Sequence, residues 1–197
     1  MNRSTDTGIA GALEISGFAQ NVDAMTLARA QRGDMAAFAQ LYASFGRPCY
    51  GLALRLVGNR VQAEDLVQEV FLKLMQTIRS YRGDAPFGAW LKRMTANAAI
   101  DQLRSRKRFD DADPDAMFAQ MAAIDASPAQ AVDAWSLLHR LPPRARAVVV
   151  LHELEGYTHT EIAKLFGQSE SYSKSILARA LQRLHSVVAA TASEILS

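Results

Sequence analysis

Residues 109–133 hold six aspartates and not one lysine or arginine, and this interval divides the chain into two parts expected to fold separately. Asp110, Asp111, Asp113, Pro114, Asp115, Ser127 and Pro128 give it the composition of a linker, with room for one short helical turn over 116–123. Before it, apolar residues recur at helical spacing over 25–57, 61–79 and 86–103; after it, they recur from Ala134 to about Ala192. The β-branched run Val148–Leu151 continues a helical pattern that opens at Pro142-Pro143, so it is not read as a strand. The expectation is an all-α protein of two helical domains, 25–108 and 134–192, joined by a flexible acidic linker at 109–133. Residues 1–24, small or polar and without a period, are expected to form a disordered extension.

Charge follows the same division. Residues 25–108 carry 14 Lys/Arg against 6 Asp/Glu, and residues 134–197 carry 7 against 5, so the net charge of +2 hides a basic first module. That layout points to a polyanionic partner rather than a small substrate. No apolar run is long enough to span a bilayer, so no membrane insertion is expected. Arg3 is not followed by a continuous apolar region, so no signal peptide is expected either. The single cysteine, Cys49, cannot form an intrachain disulfide; it fits a cytoplasmic protein and reads as a buried filler. His139, His152, His159 and His185 make no two-histidine metal motif, and no glycine loop leads to a Gly-Lys-Ser/Thr. The chain is therefore expected to be no enzyme, with no metal and no cofactor.

On a helix over 61–78, Leu66, Val67, Val70, Phe71, Leu74, Met75 and Ile78 form one apolar stripe. Asp65, Gln68, Glu69, Leu72 and Gln76 fall on the other side. Leu72 is either a stray exposed leucine or the apolar centre of a charged interface, and periodicity does not choose between them.

The loop Ser80-Tyr81-Arg82-Gly83-Asp84-Ala85 comes next. Gly83 permits a tight turn, and Tyr81 beside Arg82 offers either a face for an unstacked base or a ring packed into the core. Asp84 and Pro86 signal a helix start. On that helix Phe87, Leu91, Met94 and Ala98 point inward, while Arg93, Asn97, Arg104 and Arg108 share another face with Trp90 and Asp101 at its edge. Guanidiniums neutralise phosphates, and an amide can read a base edge.

Past the linker, Leu141-Pro142-Pro143-Arg144 opens a helix that Leu154-Glu155-Gly156 closes. Thr158-His159-Thr160-Glu161 is a capping box for a short amphipathic helix with Ile162, Ala163, Leu165 and Phe166. Gly167-Gln168-Ser169 makes a turn, Ser169 being the cap of a longer helix expected to bury Leu177, Ala180, Leu181 and Leu184. This is a helix-turn-helix arrangement.

Two strings carry a resemblance. The acidic helix, with Phe87-x-x-Trp90-Leu91-x-x-x-x-Ala96-Asn97-x-x-x-Asp101, resembles domain 2 of bacterial sigma factors of the extracytoplasmic-function (ECF) class. Leu-Pro-Pro-Arg through Leu-Glu-Gly-Tyr-Thr, Glu-Ile-Ala-Lys-Leu-Phe-Gly and Lys-Ser to Arg-Ala resembles sigma domain 4. The resemblance implies that Asp65, Gln68, Glu69 and Leu72 dock on RNA polymerase core, through its β′ and β subunits. It implies that Tyr81, Arg82, Trp90, Arg93, Asn97, Asp101 and Arg104 meet promoter DNA at the −10 element and help to melt it. Ser171, Tyr172, Lys174, Ser175, Arg179 and Arg183 would meet the −35 element, and an anti-sigma factor would be a further partner.

The chain departs from the family at Ser173, usually apolar, at Ile176, usually arginine, and at Ala178, often polar. Ile176 is accordingly expected to replace a phosphate or guanine contact. Two other functions fit parts of the pattern: a stand-alone helix-turn-helix regulator, and a sigma mimic that titrates an anti-sigma factor. The first leaves Asp65, Gln68 and Glu69 unexplained; the second leaves the basic stripe unexplained.

Overall fold

The computed structural model describes residues 17–105 and 134–195. The chain divides into two compact units that part between Gln102 and Leu103. The acidic interval 109–133, residues 1–16 and the basic run Arg106–Arg108 lie outside the described residues.

The first unit is a helical bundle. Helix α1 (Ala24–Gln31) starts at Asp23, whose carboxylate accepts the Thr26 N–H at 2.8 Å and the Thr26 hydroxyl at 2.7 Å. The pattern over 25–57 is two helices rather than one. Gly33 takes a left-handed φ of 89°, and Asp34 then caps α2 (Met35–Val57) by accepting from the N–H groups of Ala36 and Ala37. A break is sterically inexpensive at a glycine followed by a capping residue.

Gly58, at φ 72°, ends α2 by donating to the Leu54 carbonyl. Asn59 caps α3 (Arg60–Thr77) through Gln62 N–H at 3.0 Å, and α3 tightens into a 3₁₀ turn at Ile78–Ser80. Helix α4 (Phe87–Ser105) follows the loop. The core fills from Leu41, Phe45, Leu52 and Leu56 of α2, Leu66, Val70 and Leu74 of α3, and Leu91 and Ile100 of α4. Cys49 lies fully inside it, and burial pushes its thiol up to about 12.

Disorder was expected to reach residue 24, and residues 17–23 correct that limit. Gly17–Ala19 form a 3₁₀ turn, and Phe18 is only 5% exposed. A short segment with one large apolar residue shows no period, so only its docking site reveals it.

In the second unit, α5 (Ala134–His139) precedes α6 (Pro143–Val149), with Pro143 at the helix start, where its missing N–H costs nothing. Helix α6 widens into a π-helical turn at Val150–Leu154, and Gly156 leaves it at φ 74°. Helix α7 (His159–Phe166) and α8 (Glu170–Ile195) follow. The capping box is present: Thr158 N–H donates to Glu161 Oε2 at 2.9 Å, and Glu161 N–H donates to Thr158 Oγ1 at 3.2 Å. Gly167 ends α7 at φ 65°, and Ser169 Oγ accepts from Tyr172 N–H at 3.1 Å. α8 packs against both α6 and α7.

Candidate functional site

The sequence divided α3 into two faces, and burial follows that division. Ala63, Leu66, Val67, Val70 and Leu74 are buried, while Asp65, Gln68, Glu69 and Leu72 are exposed. Leu72 is 61% exposed amid those polar groups, so its position is that of an apolar centre inside a charged rim. Phe71 and Met75, read as core, are only partly covered, Met75 being exposed.

Phe71 meets Tyr42 of α2 edge-on at 4.9 Å. Beside this contact lies a groove of about 560 Å³ lined by Tyr42, Arg47, Tyr50, Glu64, Val67 and Gln68. The sequence reading missed Tyr42 and Tyr50. Their signal was Tyr42-x-x-x-Gly46-x-x-x-Tyr50, two aromatic rings on one helix face about a glycine.

Helix α4 holds its expected inner stripe: Phe87, Leu91, Met94 and Ala98 are buried. Arg93, Asp101 and Arg104 are exposed, and Trp90 and Asn97 are half-buried. From Trp90 to Arg104 this row runs about 21 Å along the helix.

The loop before α4 is held from several sides. Gly83 sits at φ 81°, where other residues are strained. Gln31 Nε2 donates to the Tyr81 carbonyl at 3.0 Å, and Tyr81 Oη donates to the Ala85 carbonyl at 2.8 Å. The Tyr81 ring lies 5.5 Å from Phe87, edge-on, and 5.3 Å from Trp90. Packing therefore engages Tyr81, and the indole of Trp90 is held between Tyr81 and Phe87, 5.9 Å from the latter. Arg82 is exposed.

On α8, Ser171, Lys174, Ala178 and Arg183 are exposed, and Tyr172, Ser175 and Arg179 are half-buried. The Lys174 ammonium pairs with Glu170 one turn earlier at 2.7 Å. The expectation for Ile176 is overturned: it is completely buried, on the face it shares with Ser173, Leu177 and Ala180. It therefore occupies a core position and cannot touch DNA in this fold. The buried face is turned toward Ser173 and Ile176, which leaves Leu181 and Leu184 half-buried.

Ser173 is buried as expected, but its hydroxyl lies 3.0 Å from His159 Nδ1 rather than on a backbone carbonyl. His159 in turn stacks on His152 at 4.4 Å, and His152 Nδ1 lies 2.9 Å from Glu153. Burial, then the nearby His152 and Lys174, hold His159 below the ordinary histidine value. Neutral imidazole is the form this junction favours.

A bundle with an acidic, leucine-centred face and a separate basic, aromatic-edged row, in one chain with a helix-turn-helix, defines a class: a factor that joins a protein partner to DNA. Two family profiles agree with that class, Sigma-70 region 2 over residues 41–109 and Sigma-70, region 4 over residues 132–184. The chain is 32% identical over 177 residues to the ECF RNA polymerase sigma factor SigM of Mycobacterium tuberculosis, covering 90% of each. It is 34% identical over 152 residues to SigE of Mycolicibacterium smegmatis, covering 74% of this chain and 59% of that relative. The solved structure of CnrH in complex with the cytosolic domain of CnrY is similar at a TM-score of 0.50 and 25% identity, covering 84% of this chain and 96% of CnrH. The chain belongs to the ECF sigma factors. As such it acts in transcription initiation with RNA polymerase core and promoter DNA, and it is not an enzyme. Among the described residues, no helix is long and apolar enough to cross a membrane.

Proposed function

We propose that the exposed face of α3 binds RNA polymerase core and that α4 with its preceding loop takes the −10 element. The observation that carries this reading is the chemical contrast between two exposed faces of one bundle. Asp65, Gln68, Glu69 and Leu72 lie on α3; Arg93, Asn97 and Arg104 lie on α4. Charged rims set encounter and register, while a desolvated apolar centre supplies affinity, so Leu72 is the anchor on the core-binding side. On the DNA side, the arginines hold phosphates and Asn97 meets a base edge. Trp90, fixed between Tyr81 and Phe87, offers a stacking face that is ordered before DNA arrives, which lowers the cost of capturing an unstacked base.

Residues 25–108 are thus sigma domain 2, residues 134–192 are sigma domain 4, and 109–133 is the tether between them. In domain 4, Ser171, Lys174 and Arg183 are the outward residues of α8 for the −35 element, with Tyr172, Ser175 and Arg179 at its margin. Work with polymerase core places the chain in the cytoplasm. An anti-sigma factor is a further partner, in line with CnrH, whose solved structure is a complex with CnrY.

The test is run-off transcription with core polymerase, paired with two variants. Asp65→Lys with Glu69→Lys should weaken co-purification with core on the order of tenfold while the fold is kept. Asn97→Ala should lose opening on a duplex promoter and keep it on a template already melted at −10. Unchanged core binding by the first variant, or equal loss on both templates by the second, would overturn the assignment of that face. Specific DNA binding without core would instead mark a stand-alone regulator.

A further inference from the structure

The segment ahead of α1 docks at two places where the helices are built to receive it. Pro48, inside α2, has no N–H, so the Ser44 carbonyl four residues earlier loses its helical partner. Gln20 supplies one: its Nε2 donates to the Ser44 carbonyl at 3.1 Å and to the Gly17 carbonyl at 3.0 Å. Gly17 lies against the Pro48 ring, close enough that a Cβ would meet Pro48 Cγ at 3.0 Å.

The second place is Gly88, in the first turn of α4. A Cβ there would sit 1.9 Å from the Phe18 carbonyl oxygen, so only glycine lets the segment lie across α4. Phe18 is then buried and stacks on Phe45 at 6.4 Å. Phe45 meets Phe87 edge-on at 5.5 Å, and Phe87 touches both Tyr81 and Trp90. An unbroken row of rings therefore runs from the N-terminal segment to the loop that precedes the DNA face.

We propose that Gly17–Gln20 is a strap whose function is to position the start of α4, and with it Trp90 and the Tyr81 loop, for promoter opening. This rests on the reading of α4 as the −10 face. Phe18 and Gln20 touch no DNA; they act through Phe45 and Phe87. The acidic face of α3 does not take part in the row, so core binding is independent of the strap.

The experiment uses the full chain with core polymerase. Phe18→Ala, Phe18→Leu and Gly88→Ala are compared on a duplex promoter and on one pre-melted at −10. Emission from Trp90 is followed in a Trp135→Phe background, which leaves it the sole tryptophan. The expected result for Phe18→Ala is core binding as in the parent, duplex opening reduced roughly tenfold, the size of one lost base stack, and a shifted Trp90 emission. The pre-melted template should open as before, and Phe18→Leu should restore most of the loss.

Gly88→Ala keeps every core side chain and adds a methyl where the strap must pass, so it should reproduce the defect even where Phe18→Ala fails to fold. Unchanged duplex opening in folded Phe18→Ala or Gly88→Ala, or equal loss on both templates, would overturn the proposal. Asn97→Ala runs in parallel. If it opens duplex DNA like the parent, the reading of α4 fails; if it alone is defective, only the strap inference fails.

Discussion

Core and binding surface are carried by different residues in the first unit and share one short face-to-face register in the second. Along α3, the buried Leu66, Val70 and Leu74 stand well apart from Asp65, Glu69 and Leu72, and the neighbouring helices give the core side ample cover. On α8 the buried set Ser173, Ile176, Leu177 and Ala180 interleaves with Ser171, Lys174, Ala178 and Arg183. Only α6 and the eight-residue α7 cover it. A surface change on α3 is therefore separable from stability. On α8 a neighbouring position is core, and a change in one property reaches the other.

The sharpest way to break that contrast is Ile176→Arg. An arginine there would bury a charge without a planned partner, at a cost of about 3–5 kcal/mol, enough to unfold a small helical unit. Thermal melting should show the second unit lost and the first kept, and binding to −35 duplexes should vanish. A folded variant with tighter DNA binding would mean that Ile176 faces outward.

Next in size is a pair of leucines on α3. Leu74→Ala should cost about 2–5 kcal/mol, because Leu74 is fully buried. Leu72→Ala should change stability by less than about 0.5 kcal/mol. It should nevertheless weaken core binding on the order of tenfold, as loss of an interface anchor does. Equal effects of the two on melting would erase the separation claimed for the first unit.

A smaller effect is expected at Arg183, exposed on α8. Arg183→Ala should lower −35 affinity across sequences and reduce the salt slope by about 1, the signature of one phosphate contact. Titration at two salt concentrations checks it, and a sequence-dependent loss would make Arg183 a base reader.

The smallest concerns pH. His159 titrates below the ordinary value of 6.5, first because it is partly buried and then because His152 and Lys174 stand near it, with Glu170 and Glu153 opposing. A depressed folded value means the unfolded chain binds the proton first. Stability is thus complete above about pH 6.5 and falls as pH drops through it. The melting midpoint of the second unit should decline on acidification, and less so in His159→Gln. A midpoint that rises on acidification would reverse the sign.

Much of the architecture was legible locally. Helical periodicity marked α3 and α4, the Thr158–Glu161 box and Ser169 marked the ends of the helix-turn-helix, and the two exposed faces of the first unit came from spacing alone. These are short-range patterns, set by backbone geometry and side-chain chemistry within a few residues. The break at Gly33 was also written locally, as a glycine before a capping aspartate, but the continuous apolar pattern masked it.

Other features depended on what lies across space. Gln20 and Ser44 are partners because Pro48 vacates a carbonyl, and Phe18 is core because Gly88 leaves a gap. The Tyr42–Tyr50 groove exists only where α2 meets α3. The rotation of α8 that buries Ile176 and puts Ser173 against His159 is set by α6 and α7. The sequence by itself determined the helices, their caps, the polarity of each face and membership of the sigma family. Tertiary structure alone decided which side of α8 is covered and where the N-terminal segment lies, because periodicity fixes neighbours along one helix and packing fixes neighbours between helices.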